Sequence, residues 1–322
     1  MDTSSFTPEE VPPLELRKLR DLELEQPSDA SRPAHVSAAS GVVRRGDFAY
    51  VIGDDELDLA VFRLSNDAPG KLRSALSGEL PDEPDERQRA KPDLEALTAL
   101  PPFEGASHGG LLGLGSGSGP GRDRSFFWPL EAAGALEGEA RAIDFHPVYE
   151  RLRAELGEIN IEGAAVRGEF LWLFHRGNED GGTNAVAEFA LTDLSASLSG
   201  DLVVDPEELA RVRAYDLGEL DGVPLCFSDA TALFDGLVVF TASAEGEDDG
   251  AIRGSVVGTI DAEGRVRRLR TIDRRWKVEG VHAAVDTGVV DFVFVCDQDE
   301  PDAPSPLLSA TMPLERRFES AR

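Results

Sequence analysis

Short apolar runs recur along this chain, each closed by a glycine or aspartate turn and each preceded by a similar tag of residues. The runs are rich in Val, Ile, Phe, Leu and Tyr, which favour β-strands, and helical periodicity is scarce. Four of the runs are FAYVIGDD (48–55), EFLWLFHRG (169–177), GLVVFTAS (236–243) and VVDFVFVCD (289–297). Their tags are SGVVRRG (40–46), IEGAAVRG (161–168), FSDATALFDG (227–236) and VEGVHAAVDTG (278–288), and a fifth tag, FEGASHGG (103–110), precedes LLGLGSGSG. Five copies of one strand-rich unit favour a radial repeat.

Each repeat extends to four strands. A third strand follows the apolar run, and an outer segment completes the unit: DLEALTAL (93–100), EARAIDF (139–145), RVRAYDL (211–217) or RVRRLRTI (265–272). The last unit has no such segment after it. LELRKLRDLEL (14–24), near the N-terminus, has the same character, so we expect it to complete the last unit and close a ring without a raw edge.

The sequence therefore predicts an all-β fold, a five-bladed β-propeller of four-stranded antiparallel blades closed by an N-terminal strand. A single domain over 1–322 is expected, because no break in composition divides the chain. The predicted blades are approximately 36–100, 103–145, 159–217, 225–272 and 276–314. Short helices are predicted at 147–156 and 206–212, and surface loops at 82–93, 115–124 and 245–250.

One column of the aligned tags carries carboxylates and hydroxyls, and it contains Ser40, Glu104, Glu162, Ser228 and Glu279. Because the first strand of each blade lines the channel, these side chains are predicted to form a ring around the axis. Three carboxylates in a narrow channel repel one another unless a cation binds or their pKa values rise. Oxygen ligands without His or Cys suit a hard ion, so the ring predicts one axial Ca²⁺. The alternative is that each Glu-Gly pair is a surface turn.

The order Ser, Glu, Glu, Ser, Glu over five blades resembles that of the calcium-dependent apyrases. YVIGDDELD (50–58) and LWLFHRGNE (171–179) are similar to that family's strands ending in an Asp-Asp-Arg turn and a double-Arg turn. The resemblance implies a five-bladed propeller with one axial Ca²⁺ and hydrolysis of nucleoside di- and triphosphates. The chain departs from the family pattern at Glu56, where the Arg is missing, and at His175, which replaces one Arg. The tags and CDQDEP (296–301) also resemble phytase-like and esterase-like propeller proteins.

Loops at the metal end of the blades are predicted to carry a rim of polar residues. The candidate catalytic residues there are Asp54, Arg122, Arg124, His175, Arg176 and Asp297, and Asp55, Asn178 and Asp299 share the rim. Arginine binds phosphate through two N–H groups at once, so one of the three arginines is predicted to stabilise a transferring phosphoryl group. Asp54 or Asp297 is predicted to accept the proton of the attacking water. The alternative for the arginines is ordinary pairing with nearby carboxylates.

The formal charge of −29, from 61 acidic and 32 basic residues, limits the classes of partner. It argues against nucleic acid and anionic membranes and favours cations. Cys226 and Cys296 lie in apolar runs and are predicted to be buried thiols. No apolar stretch is long enough to span a bilayer and no signal peptide is visible, so we expect a cytoplasmic monomer.

Two functions follow from these features. The first is a Ca²⁺-dependent hydrolase, of phosphate esters or anhydrides, that takes a small anionic ligand above the metal. The second is a non-catalytic propeller that binds a ligand or a protein and carries a structural axial cation. The fold alone does not separate them.

Overall fold

Five four-stranded antiparallel sheets, with one two-stranded ribbon over 219–224, make up the computed structural model, which describes residues 8–9, 11–177, 182–205, 209–234, 236–246, 252–297 and 300–313. The strands are β1 (Arg17–Asp21), β2 (Ala39–Arg45), β3 (Phe48–Gly53), β4 (Asp58–Arg63), β5 (Lys71–Ser74), β6 (Leu94–Leu100), β7 (Gly110–Gly115), β8 (Arg124–Pro129), β9 (Arg141–Asp144), β10 (Ile161–Arg167), β11 (Phe170–His175), β12 (Asn184–Ala190), β13 (Arg211–Tyr215), β14 (Glu219–Leu220), β15 (Val223–Pro224), β16 (Cys226–Phe234), β17 (Leu237–Glu245), β18 (Ile252–Ile260), β19 (Val266–Thr271), β20 (Val278–Asp286), β21 (Val289–Cys296) and β22 (Pro306–Pro313).

The sheets are the blades of a five-bladed β-propeller. Blade one is β2 to β5, blade two β6 to β9, blade three β10 to β13, blade four β16 to β19, and blade five β20 to β22 with β1. The innermost strands contact one another in a closed ring, β2 to β6, β10, β16, β20 and back to β2. β1 pairs antiparallel with β22, with Arg17 opposite Ser309, so the N-terminal strand completes the last blade as predicted.

Apolar clusters between adjacent blades form the core. In the cluster between blades three and four, the Phe227 ring meets Phe174 and Phe240 edge-on, with centroids 5.1 and 5.2 Å apart. Edge-to-face contacts of this kind are the favoured geometry of aromatic pairs. Alternate residues of each inner strand face the two neighbouring blades, so each blade is held on both sides.

Blade two begins earlier than the sequence predicts. Residues 94–100 form β6, the inner strand of blade two, whereas they were predicted to be the outer strand of blade one. The outer strand of blade one is instead β5 at 71–74. The error arises because Ala96, and not the expected glycine, follows Glu95 in β6, so this strand was not recognised as an inner strand.

The described part of the chain also contains three helices, α1 (Pro84–Ala90), α2 (His146–Leu156) and α3 (Leu191–Ser199). α2 confirms the helix predicted at 147–156. α1 lies in a segment predicted to be a loop, and its first turn is capped by the Glu83 carboxylate, which accepts a hydrogen bond from Glu86 N at 3.0 Å. The helix predicted at 206–212 is wrong over 211–212, because these residues pair with β12 in the sheet, and 206–208 lie outside the described residues. No described helix is long and apolar enough to cross a membrane.

Candidate functional site

A β-bulge stands near the start of the inner strand in every blade. In each case the pairing register shifts around one residue, and these five residues are Ser40, Glu95, Glu162, Ser228 and Glu279. A bulge leaves its residue unpaired and re-aims its side chain. The five residues are therefore equivalent, and they mark the end of the central channel where the inner strands begin. We call this end, with the loops around it, the axial mouth.

Glu104 is not part of this ring, and its predicted place in the column is wrong. It lies in an exposed turn after β6, where Phe103 and Ala106 exchange backbone hydrogen bonds and Gly105 has a φ of +90°. The Glu-Gly pair at 104–105 is thus the surface turn that was the alternative interpretation. Glu95 holds the position in blade two, and sequence reasoning missed it because Ala96 follows it rather than Gly.

The two serines of the ring tie neighbouring blades together. Ser40 Oγ donates a hydrogen bond at 2.5 Å to the carbonyl oxygen of Leu94, the first residue of the next inner strand. Ser228 Oγ donates in the same way to Val278 O at 3.2 Å and lies 3.0 Å from Thr241 Oγ1. Both hydroxyls therefore have a structural role at the blade interface.

Glu162 and Glu279 each have a resident cation. Arg176 lies 3.5 Å from Glu162 Oε1 and also pairs with Glu245 at 2.7 Å, while Lys277 lies 3.4 Å from Glu279 Oε1. Glu162 Oε1 also accepts a hydrogen bond from Asn160 Nδ2 at 2.7 Å. Burial nevertheless outweighs these partners, and it raises the pKa of Glu162 to about 7 and that of Glu279 above its usual range.

Glu95 belongs to a tighter acidic cluster, which we call the carboxylate trio. Asp54, Asp93 and Glu95 place ligand atoms within 4.8 Å of one another. The Lys91 ammonium pairs with Asp54, and it pairs with Asp93 at 2.9 Å. Burial raises the pKa of Asp54 to about 6, and burial together with the charges of Glu162, Asp54 and Asp93 raises that of Glu95 well above its usual range.

Three of the six carboxylate oxygens of the trio have no partner among the described residues. Asp54 Oδ1 is buried without a hydrogen bond. Among the residues that the structure describes, the Glu95 carboxylate has no hydrogen bond and no ion pair. In contrast, the second oxygen of Asp93 is saturated by Ser116, by Ser118 Oγ at 3.2 Å and by Arg122 at 3.2 Å.

Of the other predicted rim residues, two arginines pair with carboxylates of the axial mouth and a third does not. Arg122 and Arg176 face the mouth, but both are occupied by its carboxylates. Arg124 is directed elsewhere and donates to Ser77 O. His175 is buried; its Nδ1 accepts a hydrogen bond from Asn160 N at 3.0 Å, and burial lowers its pKa.

Two further predicted rim residues, Asp55 and Asp297, have basic partners. Asp297 lies 3.7 Å from Lys277, and Asp55 pairs with Arg32 at 2.7 Å. Asn178 and Asp299 lie outside the described residues.

The donor set fits a hard cation at the trio better than at the full ring. The five predicted ligands cannot act as one set, because Glu104 lies elsewhere, both serines bond to neighbouring backbone, and Glu162 and Glu279 are paired. Carboxylate oxygens close together, one of them buried and unpartnered, suit Ca²⁺. The fit places the candidate site between blades one and two, beside the axis.

Two solved structures are similar to this chain in fold. One is the catalytic domain of the Coprinopsis cinerea GH62 alpha-L-arabinofuranosidase, with a TM-score of 0.52 and 10% identity over 93% of this chain and 96% of that chain. The other is a GH43 glycoside hydrolase engineered to show endo-xylanase and exo-arabinofuranosidase activity, with a TM-score of 0.51 and 11% identity over 92% of this chain. This chain covers 51% of the GH43 structure, about half its length. At such identities the likeness shows the fold alone.

Comparison at the level of sequence gives a family. No curated protein matches the chain. Residues 35–312, which include every strand of the propeller except β1 and the end of β22, match the Family of unknown function (DUF6929). The chain belongs to this family.

Proposed function

We propose that the protein is a cation-dependent hydrolase whose active site is the axial mouth, with Ca²⁺ held by the carboxylate trio. The observation that carries the proposal is the approach of Asp54, Asp93 and Glu95 to within 4.8 Å with Glu95 left unpaired. Such a cluster is unfavourable without a further positive charge. A bound divalent cation would supply that charge, and it would activate a water or polarise a substrate oxygen.

Glu162 is proposed as the proton donor or acceptor. Its pKa of about 7 leaves it partly protonated at neutral pH, which is the condition for a general acid or base. Its Oε1 is held by Asn160 and Arg176, while Oε2 has no hydrogen-bond partner among the described residues. Arg176 acts here as a positioning residue, since it fixes the orientation of the carboxyl group.

Phosphate esters or anhydrides remain one proposed substrate class. An arginine that stabilises phosphoryl charge must be free to reach the substrate. Arg122 meets this condition best, because 28% of its side chain is exposed and its only charged partner in the described chain is Asp93. Arg176 is 9% exposed and held by two glutamates, so it is less suited to this role.

A glycosidic bond is the second candidate substrate, and the carboxyl groups favour it. Glycoside hydrolysis needs a carboxylic acid with a raised pKa beside an ionised carboxylate. Glu162, with a pKa of about 7, is the candidate acid, and Asp54, with a pKa of about 6, is the candidate ionised carboxylate at the same end of the channel. The GH62 and GH43 structures of similar fold act on such bonds, as their names state.

The test combines metal binding with activity. We expect calorimetric titration to show one Ca²⁺ bound by the wild type and by Glu104→Gln, and none by Glu95→Gln. Glu104→Gln is the matched control, because Glu104 is exposed and lies outside the ring.

Activity is then measured on nucleotides, aryl phosphates and aryl α-L-arabinofuranosides, with Ca²⁺ and with chelator. Turnover that needs Ca²⁺ and is lost in Glu95→Gln and Glu162→Gln supports the proposal and identifies the substrate class. Ca²⁺ binding that raises the melting temperature without turnover on any substrate would instead support the non-catalytic propeller. Absence of Ca²⁺ binding would overturn the metal site.

A further inference from the structure

The opposite end of the central channel carries basic side chains. β2 ends in Arg44 and Arg45, which are both exposed, and the neighbouring inner strand β20 carries the half-buried His282. A close contact aligns the two strands, since a Cβ on Gly280 would lie 2.9 Å from the Cα of Gly41. Both strands run away from the axial mouth at about 3.3 Å per residue. Arg44 lies three residues beyond this contact on β2, and His282 lies two residues beyond it on β20. The two residues are therefore at nearly the same height along the channel axis.

These three groups have no counter-charge in the described part of the chain. Neither arginine makes an ion pair or a side-chain hydrogen bond there, and the same holds for His282. Asp47, in the turn after β2, accepts hydrogen bonds from Ser65 at 2.7 Å and Arg63 at 3.3 Å instead. Unopposed positive charge at the end of a channel is notable in a protein with 61 acidic and 32 basic residues.

His282 stays neutral beside the arginines. Burial and then the charges of Arg45 and Arg44 lower its pKa to about 4. A neutral imidazole keeps one N–H donor and one acceptor nitrogen. The cluster therefore offers two guanidinium groups and one imidazole donor to a ligand.

A loop of blade two holds Arg45 in place. A Cβ on Gly134, whose φ is +83°, would lie 2.9 Å from Arg45 O and 3.0 Å from the Arg45 Cβ, so the loop packs directly on this residue. The Tyr50 hydroxyl donates a hydrogen bond to Gly134 O at 2.5 Å and fixes the loop. The contact therefore fixes the backbone and Cβ from which the Arg45 side chain extends, while its guanidinium group stays available to a ligand.

We propose that Arg44, Arg45 and His282 bind a small oxyanion with two negative charges, a phosphate or a dicarboxylate, at the channel end opposite the axial mouth. The planar guanidinium groups match the spacing of oxygens in either anion, and the imidazole N–H donates a further hydrogen bond. The anion supplies the counter-charge that the protein lacks there. This site shares no residue with the axial mouth and does not depend on the proposed hydrolase activity.

The experiment follows the five histidines by NMR in protein labelled with ¹³C-histidine, with His282→Gln used to assign the resonance. Inorganic phosphate and, separately, succinate are titrated to about 20 mM at constant ionic strength. We expect a saturable shift of the His282 resonance alone and a rise in its pKa, because a bound dianion offsets the two arginines. The anion with the lower dissociation constant identifies the ligand class.

The double variant Arg44→Gln/Arg45→Gln should lose the saturable shift, while Arg73→Gln, an exposed arginine of the outer strand β5, should keep it. Equal melting temperatures of the two variants would confirm that the comparison is between folded proteins. Shifts that rise linearly without saturation, or that persist in the double variant, would overturn the proposal.

Discussion

Replacing Lys91 with Met would remove the ammonium group that separates the acidic groups of the carboxylate trio. The Lys91 side chain is 7% exposed, and it pairs with both Asp54 and Asp93. Its methionine replacement keeps most of the apolar stem, so the change is mainly one of charge. We expect the variant to fold and to be less stable than the wild type. We also expect its stability to depend more strongly on Ca²⁺.

The size of the effect follows from the geometry of the trio. Two unit charges 4.8 Å apart repel by about 3.5 kcal/mol at an effective dielectric constant of about 20. Breaking a buried ion pair by removing one partner costs about 3–5 kcal/mol. With an unfolding entropy of about 2.1 cal/mol/K per residue, this corresponds to a fall of about 4–7 °C in the melting temperature of a 322-residue chain.

The pH dependence has a definite sign. Without Lys91 the folded pKa of Asp54, which burial already raises to about 6, should rise further above its unfolded value. A group of this kind binds more protons in the folded state, so its contribution to stability falls as the pH rises from the unfolded to the folded pKa. The loss caused by Lys91→Met should therefore be greater at pH 8 than at pH 5.

The assay is thermal unfolding followed by circular dichroism in chelator and in Ca²⁺, at pH 5 and pH 8. Ca²⁺ at 100 times its dissociation constant adds about 2.7 kcal/mol, and in the variant it should recover at least about half of the loss of about 3–5 kcal/mol. Lys71→Met is the matched control, since Lys71 is 60% exposed and pairs with Glu25 at 3.4 Å. If Lys91→Met melts within 2 °C of Lys71→Met in chelator at pH 8, the trio does not carry the charge that we infer.

Three further outcomes are expected. Gly280→Ala should lower the free energy of unfolding by about 1–3 kcal/mol, because the added Cβ would lie 2.9 Å from the Cα of Gly41. Urea denaturation measures this loss, and an unchanged midpoint would contradict the contact. Asp229→Ala should lower the free energy of unfolding by about 2–4 kcal/mol, because the fully buried carboxylate accepts hydrogen bonds from Val281 N at 2.6 Å and Ala230 N at 2.7 Å. Calorimetry measures this loss, and a value below about 1 kcal/mol would refute that role. The contribution of Glu162 to stability should fall between pH 4.5 and about 7, because its folded pKa is raised. Glu162→Gln should therefore flatten this part of the curve of unfolding free energy against pH, measured by denaturation. An identical slope in both proteins would contradict the raised pKa.

The number and closure of the blades could be predicted because they depend on repetition alone. The ring positions in four blades were found because a small or acidic residue follows the column residue at the bulge: Gly41, Gly163, Asp229 and Gly280. Gly163 and Gly280 have a physical reason to recur, since a Cβ on either would lie within 3.0 Å of the backbone of a neighbouring inner strand. Blade two could not be aligned in this way, because Ala96 stands at that position and Gly105 marks an unrelated turn.

The resident cations of the axial mouth could not be predicted, because they reach it from segments of different kinds. Arg176 follows a second strand, Lys91 follows a helix and Lys277 precedes an inner strand, so no column of the repeat contains them. Which carboxylate each one meets depends on side-chain geometry that spacing does not encode. The predicted choice between a bound cation and raised pKa values was also incomplete, since the chain uses its own lysines and arginine as well.

These tethered cations change what a metal would do for the protein. The chain has four lysines, and two of them, Lys91 and Lys277, lie buried or half-buried at the axial mouth. With Arg176 they neutralise part of the ring from within, so we expect the protein to fold without an ion in the ring. The charge left over is concentrated at Glu95, where the unpaired carboxylate and the buried Asp54 oxygen lie. Removal of Ca²⁺ from the wild type with chelator should therefore abolish the proposed activity and leave the circular dichroism spectrum unchanged. If the ion instead supported the full ring, its removal would unfold the protein.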